Sequence, residues 1–124
     1  MKKLMLILSF VGVLFSSHAH SPTSFYCEAS AILKMDFFGE INQGKLKSDL
    51  NVIIEGSLFV VENQNVATFT LNKNKDDGSI SLAFKTFEKE NKYWIDLDTV
   101  KGIGNVKTDY RGITLDDDVY CRFN

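Results

Sequence analysis

Apolar and polar residues alternate along most of this 124-residue chain, and no other feature constrains its fold as strongly. Successive side chains of a β-strand point to opposite faces of a sheet, so a period of two predicts half-buried strands. The alternation runs through residues 25–36, where only Ile32 departs from it, and it returns at 46–55, 80–85 and 119–123. Three further segments, 57–62, 66–71 and 93–98, complete the predicted strands, and 66–71 is rich in β-branched and aromatic residues. The sequence therefore predicts an all-β domain, an antiparallel meander that forms a small sandwich or a barrel.

Turn-forming residues separate these segments. Asn74–Ser79 contains the pair Asp77-Gly78, which tolerates positive φ and predicts a hairpin that joins 66–71 to 80–85. Glycines interrupt the pattern at 37–44 and at 101–112, so we predict the longest loops there.

The amino-terminal residues predict export. Lys2 and Lys3 precede an uncharged, mainly apolar run at 4–15, which is the layout of a secretory signal peptide and is shorter than the roughly 20 residues of a membrane-spanning helix. Ser17 and Ala19 are the small residues that signal peptidase requires at the −3 and −1 positions, so we predict cleavage after Ala19. The chain then divides into a signal peptide at 1–19 and a single β-domain at 20–124. The alternative is an uncleaved segment retained as a membrane anchor. The predicted location is periplasmic or secreted, with no stable membrane insertion once the signal is removed.

The chain has two cysteines, Cys27 and Cys121, near the two ends of the predicted domain. An even count in an exported chain indicates a disulfide, here one that joins the first and last strands. The alternative is a pair of reduced, buried thiols.

The sequence predicts no enzyme, no cofactor and no metal site. A hydrolytic triad needs a base and a metal site needs four ligands, whereas the only histidine left after cleavage is His20, at the very start of the domain. Asp96 with Asp98, and 116–118, are the candidate carboxylate groups for Ca²⁺. The favoured alternatives are a solvated strand face for Asp96 and Asp98 and a solubilising turn before the last strand for 116–118. The formal net charge of −2, or −4 without Lys2 and Lys3, argues against nucleic acid as a partner.

Two adjacent aromatic pairs are the candidate interaction surface. If Phe37-Phe38 and Tyr93-Trp94 lie in strands, each pair must direct one ring to each side of the sheet, so at least one member of each pair faces outward or into a second layer. With Phe87 and Tyr110 the same residues are also candidates to line a pocket for a small apolar ligand. The alternative is simple packing within the core.

Phe25-Tyr26-Cys27, followed by an alternating strand and by the corner at 52–58, resembles the FidL-like family of small enterobacterial envelope proteins. The resemblance covers most of the domain. It implies an accessory, of the ToxS type, whose sheet pairs with the periplasmic part of a membrane-bound transcription regulator. That family is expected to keep an amino-terminal anchor, whereas the apolar run here has the features of a cleavable signal.

Tyr26-Cys27 and the late Cys121 are also similar to periplasmic inhibitors of C-type lysozyme, which are small β-barrels. The Ser-Gly-x-x-Tyr loop of those inhibitors is missing, since Gly78-Ser79 has the reverse order and no tyrosine follows at the right distance. The leading hypothesis is therefore a protein-binding accessory that docks on an envelope protein through a strand edge. An inhibitor of a hydrolase and a carrier of an apolar molecule are the alternatives.

Overall fold

The computed structural model describes residues 21–87, 94–110 and 112–124, and strands dominate them. The strands are β1 Ser24–Ala29, β2 Met35–Asn42, β3 Lys45–Leu46, β4 Leu50–Ile54, β5 Ser57–Val61, β6 Val66–Lys73, β7 Ile80–Thr86, β8 Ile95–Val100, β9 Ile103–Tyr110 and β10 Ile113–Phe123. One turn of 3-10 helix at Asn63–Asn65 links β5 to β6. The predicted all-β class is confirmed.

The strands form one antiparallel sheet in the order β5-β4-β2-β1-β10-β9-β8-β7-β6, with β3 paired to the end of β2. Each half of the chain is a meander, and pairing of β1 with β10 joins the two halves. The sheet curls into a nearly closed barrel whose two ends are β5 and β6. Neighbours in sequence, these two strands are not paired with each other.

The first alternating segment proves to be two strands. The turn at 30–34 divides β1 from β2, and Ile32, the residue out of register in the sequence, lies in that turn. Ala29 and Met35 are both buried and six positions apart, so the turn preserves the phase of the alternation. The period-two pattern therefore continues through the turn, and the turn cannot be located from the alternation alone.

The two predicted long loops are wrong, because both regions are mostly strand. In place of the predicted loops, the structure has the two-residue turns Gln43-Gly44 and Lys101-Gly102, in which both residues have positive φ. That is the conformation of the type I′ turn, whose twist matches the flanking strands. Gly104 lies within β9, where a Cβ would come within 2.6 Å of the Thr99 Cα, so this glycine permits close packing of β8 and β9.

The hairpin predicted at 74–79 is confirmed. β6 pairs with β7 over most of its length, and Gly78 has a φ of +74°. The Asp77 carboxylate accepts hydrogen bonds from the backbone and the hydroxyl of Ser79. These contacts and Lys101, whose ammonium lies 3.1 Å from Asp77, lower the pKa of this exposed carboxyl.

Four phenylalanine rings cross the barrel interior and pack its two halves together. The Phe84 ring lies about 6 Å from those of Phe25, Phe37 and Phe69. Around them the interior is filled by aliphatic side chains, among them Leu50, Val52, Leu82, Ile95, Leu97, Val106 and Val119. The core is thus continuous across the β1–β10 junction.

The predicted disulfide is present. Cys27 and Cys121 lie directly opposite each other on β1 and β10, with their Cα atoms 4.0 Å apart, and the bridge joins positions 94 residues apart in sequence. It therefore fastens the strand pair that connects the two meanders. Disulfides of this kind persist in oxidising compartments. Among the residues described, no helix is long and apolar enough to cross a membrane.

Candidate strand-docking edge

β5 is an edge strand with an apolar surface. Within the described part of the chain it pairs with β4 alone. Its sequence, Ser-Leu-Phe-Val-Val, contains no charge and no proline, and Leu58 and Val60 are 59% and 52% exposed on the outer face. Phe59 lies on the opposite face and is still 39% exposed. Natural edge strands are usually blunted by charge, proline or cover, so this strand has the character of a pairing site.

The other end of the sheet, β6, differs in just these respects. Its exposed outer positions are polar, Thr68, Thr70 and Asn72, and the strand ends at Lys73. Phe69 and Leu71 on its other face are partly buried and pack against the core. The two ends of one sheet thus differ in surface chemistry, and of the two only β5 exposes large apolar side chains.

The turn before β5 determines which of its backbone groups are free. Glu55 and Gly56 both have positive φ and form a two-residue turn, so the flanking pair Ile54–Ser57 is hydrogen-bonded. Bonded and non-bonded pairs alternate along an antiparallel ladder. Leu58 and Val60, at the non-bonded positions, consequently direct their N–H and C=O groups towards the open edge.

An aromatic row on the outer face leads towards this edge. Tyr26 on β1 and Phe38 on β2 are opposite neighbours whose rings stack 5.7 Å apart, and the Arg122 guanidinium lies 4.7 Å from the Tyr26 ring on the other side. Asn51 continues the row on β4, donates to the Phe38 carbonyl, and lies directly opposite Val60. The outer face therefore presents an ordered surface beside the exposed side chains of β5.

Polar contacts hold this row in position. The Tyr26 hydroxyl donates to Asp36 Oδ2 at 2.6 Å, and Arg122 lies 3.2 Å from Glu28. The hydrogen bond to Asp36, with burial and the nearby carboxylates, raises the pKa of Tyr26, against the opposing effect of Arg122. The Tyr26 side chain is accordingly fixed in position and uncharged on this surface.

The Phe37-Phe38 pair separates as expected for a strand. Phe37 is fully buried and packs on Phe84, whereas Phe38 faces outward and is half-buried. Trp94 is half-buried just before β8, and its carbonyl accepts hydrogen bonds from Thr108 and Asp109. Tyr93 lies outside the described residues, as do His20 and the predicted signal peptide at 1–19. Of the predicted surface residues only Phe38 and Trp94 are seen to be partly accessible.

The interaction surface predicted from the sequence did not include Leu58 and Val60, which form the apolar edge. The signal available was the run Leu58–Val61, four apolar residues without alternation after a Glu-Gly turn. An uninterrupted apolar run is normally attributed to a strand buried on both faces. Only the sheet order shows that this one is at an edge.

The candidate carboxylates do not form a metal site in the part of the chain described here, where no group of three or more ligand side chains converges. Asp96 lies 3.8 Å from Lys85, and Asp116 and Asp118 are exposed. Asp117 points the other way and is buried. Its Oδ2 accepts hydrogen bonds from the backbone N–H groups of Ile32 and Leu33 at 2.7 and 3.0 Å, which anchors the β1–β2 turn.

A cavity of about 270 Å³ lies beside that turn, at one mouth of the barrel. Leu33, Met35, Ile54, Leu115 and Thr108 line it, with Ile32, Lys34 and Glu55 at the same mouth. It is mainly apolar.

In comparisons with protein-family models, with curated proteins and with solved structures, no match to this chain was found.

Proposed function

We propose that this protein is an exported, non-enzymatic binding module that docks on another envelope protein by adding a strand of that protein to β5. The observation that carries the proposal is the apolar, uncharged edge of β5, with Leu58 and Val60 exposed. In strand addition, main-chain hydrogen bonds supply affinity and alternate side chains supply specificity.

The chemistry of β5 defines the segment that it accepts. The free N–H and C=O groups of Leu58 and Val60 require an extended partner without proline at the matching positions. Apolar side chains are required on the outer face, opposite Leu58 and Val60, and a charged residue there would lose its hydration without a counter-ion. A short β-branched or aliphatic strand at the edge of another sheet meets these requirements.

Two further features support the proposed setting. The disulfide fits an oxidising compartment, which agrees with the export predicted from residues 1–19. The FidL-like resemblance suggests the periplasmic part of a membrane-bound regulator as the partner, because in that family the accessory pairs its sheet with the regulator's own.

Photo-cross-linking in cells that produce the protein tests the proposal. A benzophenone amino acid replaces Leu58 on β5 or, as the matched control, Thr70 on β6. The protein captured at position 58 is purified, and its affinity is measured for the wild type and for Val60→Pro. The proline removes one N–H of the open edge while leaving the hydrogen bonds to β4 in place.

We expect an adduct at position 58 and none at position 70. Val60→Pro should weaken binding by about tenfold, as expected for the loss of an edge hydrogen bond and of local fit. Thr70→Lys should bind like the wild type. Equal adducts at both positions, or unchanged affinity of Val60→Pro, would contradict docking at β5.

A second candidate function rests on the cavity at the barrel mouth. Its apolar lining favours a carrier of a small apolar molecule, although about 270 Å³ is slightly smaller than most ligand pockets. Native mass spectrometry of protein purified without detergent tests this function. Added mass that Met35→Trp abolishes would support a carrier, and an unliganded mass that stays unchanged with added fatty acid would exclude one.

A further inference from the structure

We infer that the strand which occupies β5 in the free protein is β5 of a second copy, paired antiparallel about a two-fold axis at Phe59. This inference rests on the proposed function, because it names an occupant of the same edge. It adds a form of control, since a partner protein would have to displace the second copy before docking.

Backbone geometry selects this register. Only Leu58 and Val60 direct both polar groups outward, so each must form a bonded pair with the second copy. Centring the pairing on Phe59 places Leu58 opposite Val60 of the other copy, twice by symmetry, and makes four hydrogen bonds. A shift centred on Leu58 would require Gly56, whose φ of +85° belongs to the turn.

Side chains fit the same register. On the outer face each Leu58 meets Val60 of the other copy, so both contacts are aliphatic. On the opposite face Phe59 meets its own symmetry mate, and aromatic pairs across strands are stabilising. A shift centred on Val60 would instead bring Leu58 against Glu62.

The charges that flank β5 allow this register as well. Glu62 falls opposite Gly56 of the second copy and Glu55 falls opposite Asn63, so no two carboxylates are directly paired. The domain without Lys2 and Lys3 still carries a formal net charge of −4, so two copies repel at long range. Salt screens that repulsion, and the dimer should therefore tighten as ionic strength rises.

The size of the contact sets its strength. A strand of five residues buries far less than the roughly 1,200–2,000 Å² of a stable interface. Association should consequently be weak and reversible. Such a contact covers the apolar edge at high protein concentration, and a strand that fits better displaces the second copy.

Sedimentation velocity over a dilution series from millimolar to micromolar protein tests the inference. We expect wild-type protein to pass from dimer to monomer on dilution, and to do so at lower concentration when salt is added. In L58K/V60K two lysines face each other at both contacts, so this variant should be monomeric throughout. In L58K/V60E the ammonium introduced at position 58 faces the carboxylate introduced at position 60 of the other copy, which should restore a dimer that salt weakens.

The control T68K/T70K carries the same charge on β6 and should dimerise like the wild type. Thermal melting of each variant establishes that it is folded, and the wild-type dilution series is decisive even if a variant is not. A wild type that stays monomeric at every concentration, or an L58K/V60K variant that dimerises like it, would overturn the inference.

This experiment separates the two proposals. A monomeric wild type whose captured partner is lost on Val60→Pro would refute the second copy and leave docking at β5 intact. A wild type that dimerises through β5 and captures only a second copy of itself at position 58 would support the second copy and refute the heterologous partner.

Discussion

Asp117 positions the β1–β2 turn, although it stands between two exposed acidic residues of the same type. Burial alone would raise the pKa of its carboxyl. Hydrogen bonds from the backbone N–H groups of Leu33, Ile32, Asp118 and Ala31 outweigh burial, and the pKa of Asp117 is lowered. The turn that carries Ile32 and Lys34 to the cavity mouth is therefore held by one buried anion.

We predict that Asp117→Asn lowers the free energy of unfolding by about 2 kcal/mol, because hydrogen bonds to a charged acceptor become bonds to a neutral one. The pKa of Asp117 is lower in the folded state than in the unfolded state, so the stabilisation by Asp117 is fully present above the unfolded-state pKa. It is lost as pH falls through the folded pKa. Urea unfolding between neutral and acidic pH should show a steeper acid loss for the wild type than for the variant. Asp116→Asn, on the exposed face, is the control, and an Asp117→Asn curve parallel to the wild type would contradict this role.

The cysteine pair and Asp117 differ in how far their roles can be predicted from the sequence. Cys27 and Cys121 were paired correctly, since a chain with two cysteines in strands has one intramolecular solution. The separate role of Asp117 within 116–118 was not predictable. Alternation places Asp117 inward, but its backbone partners come from a turn 84 residues away.

At the scale of strands, local pattern predicted the elements better than their boundaries. The hairpin at 74–79 was predicted because Asp77-Gly78 is a strong turn signal. The turns at Gln43-Gly44 and Lys101-Gly102 cannot be distinguished in the sequence from parts of long loops, because Gln and Lys, their first residues, have no particular preference for positive φ. The apolar edge of β5 depends on pairing between distant strands, which no local pattern reports.

Pairing of β1 with β10 is the contact that makes one sheet from two meanders, and the disulfide fastens it. A bridge across 94 residues removes chain entropy from the unfolded state worth up to about 4.7 kcal/mol, and often less. We predict that replacing both cysteines by alanine lowers the melting temperature markedly while a β-rich circular dichroism spectrum persists at low temperature. Reducing the wild type under the same conditions should have a comparable effect. A melting temperature unchanged by either treatment would contradict the role of the bridge.

At the scale of the whole molecule, a stapled barrel, a predicted export signal and an open edge occur in one chain. We predict that protein recovered from the soluble periplasmic fraction begins near His20 and is lighter by two hydrogens than its reduced form. Intact mass measured with and without reduction and alkylation checks both features together. A full-length chain confined to the membrane fraction would contradict cleavage and favour retention of 1–19 as an anchor.

Amide hydrogen exchange tests whether the backbone of β5 is open and accepts a strand. In dilute protein we predict fast exchange at Leu58 and Val60 and slow exchange at Ser57 and Val61, which bond to β4. An excess of a synthetic peptide with the sequence of residues 57–61 should slow exchange at Leu58 and Val60 and leave β6 unchanged. Slow exchange at Leu58 and Val60 in the dilute protein, or no response to the peptide, would contradict an open β5 edge that accepts a strand.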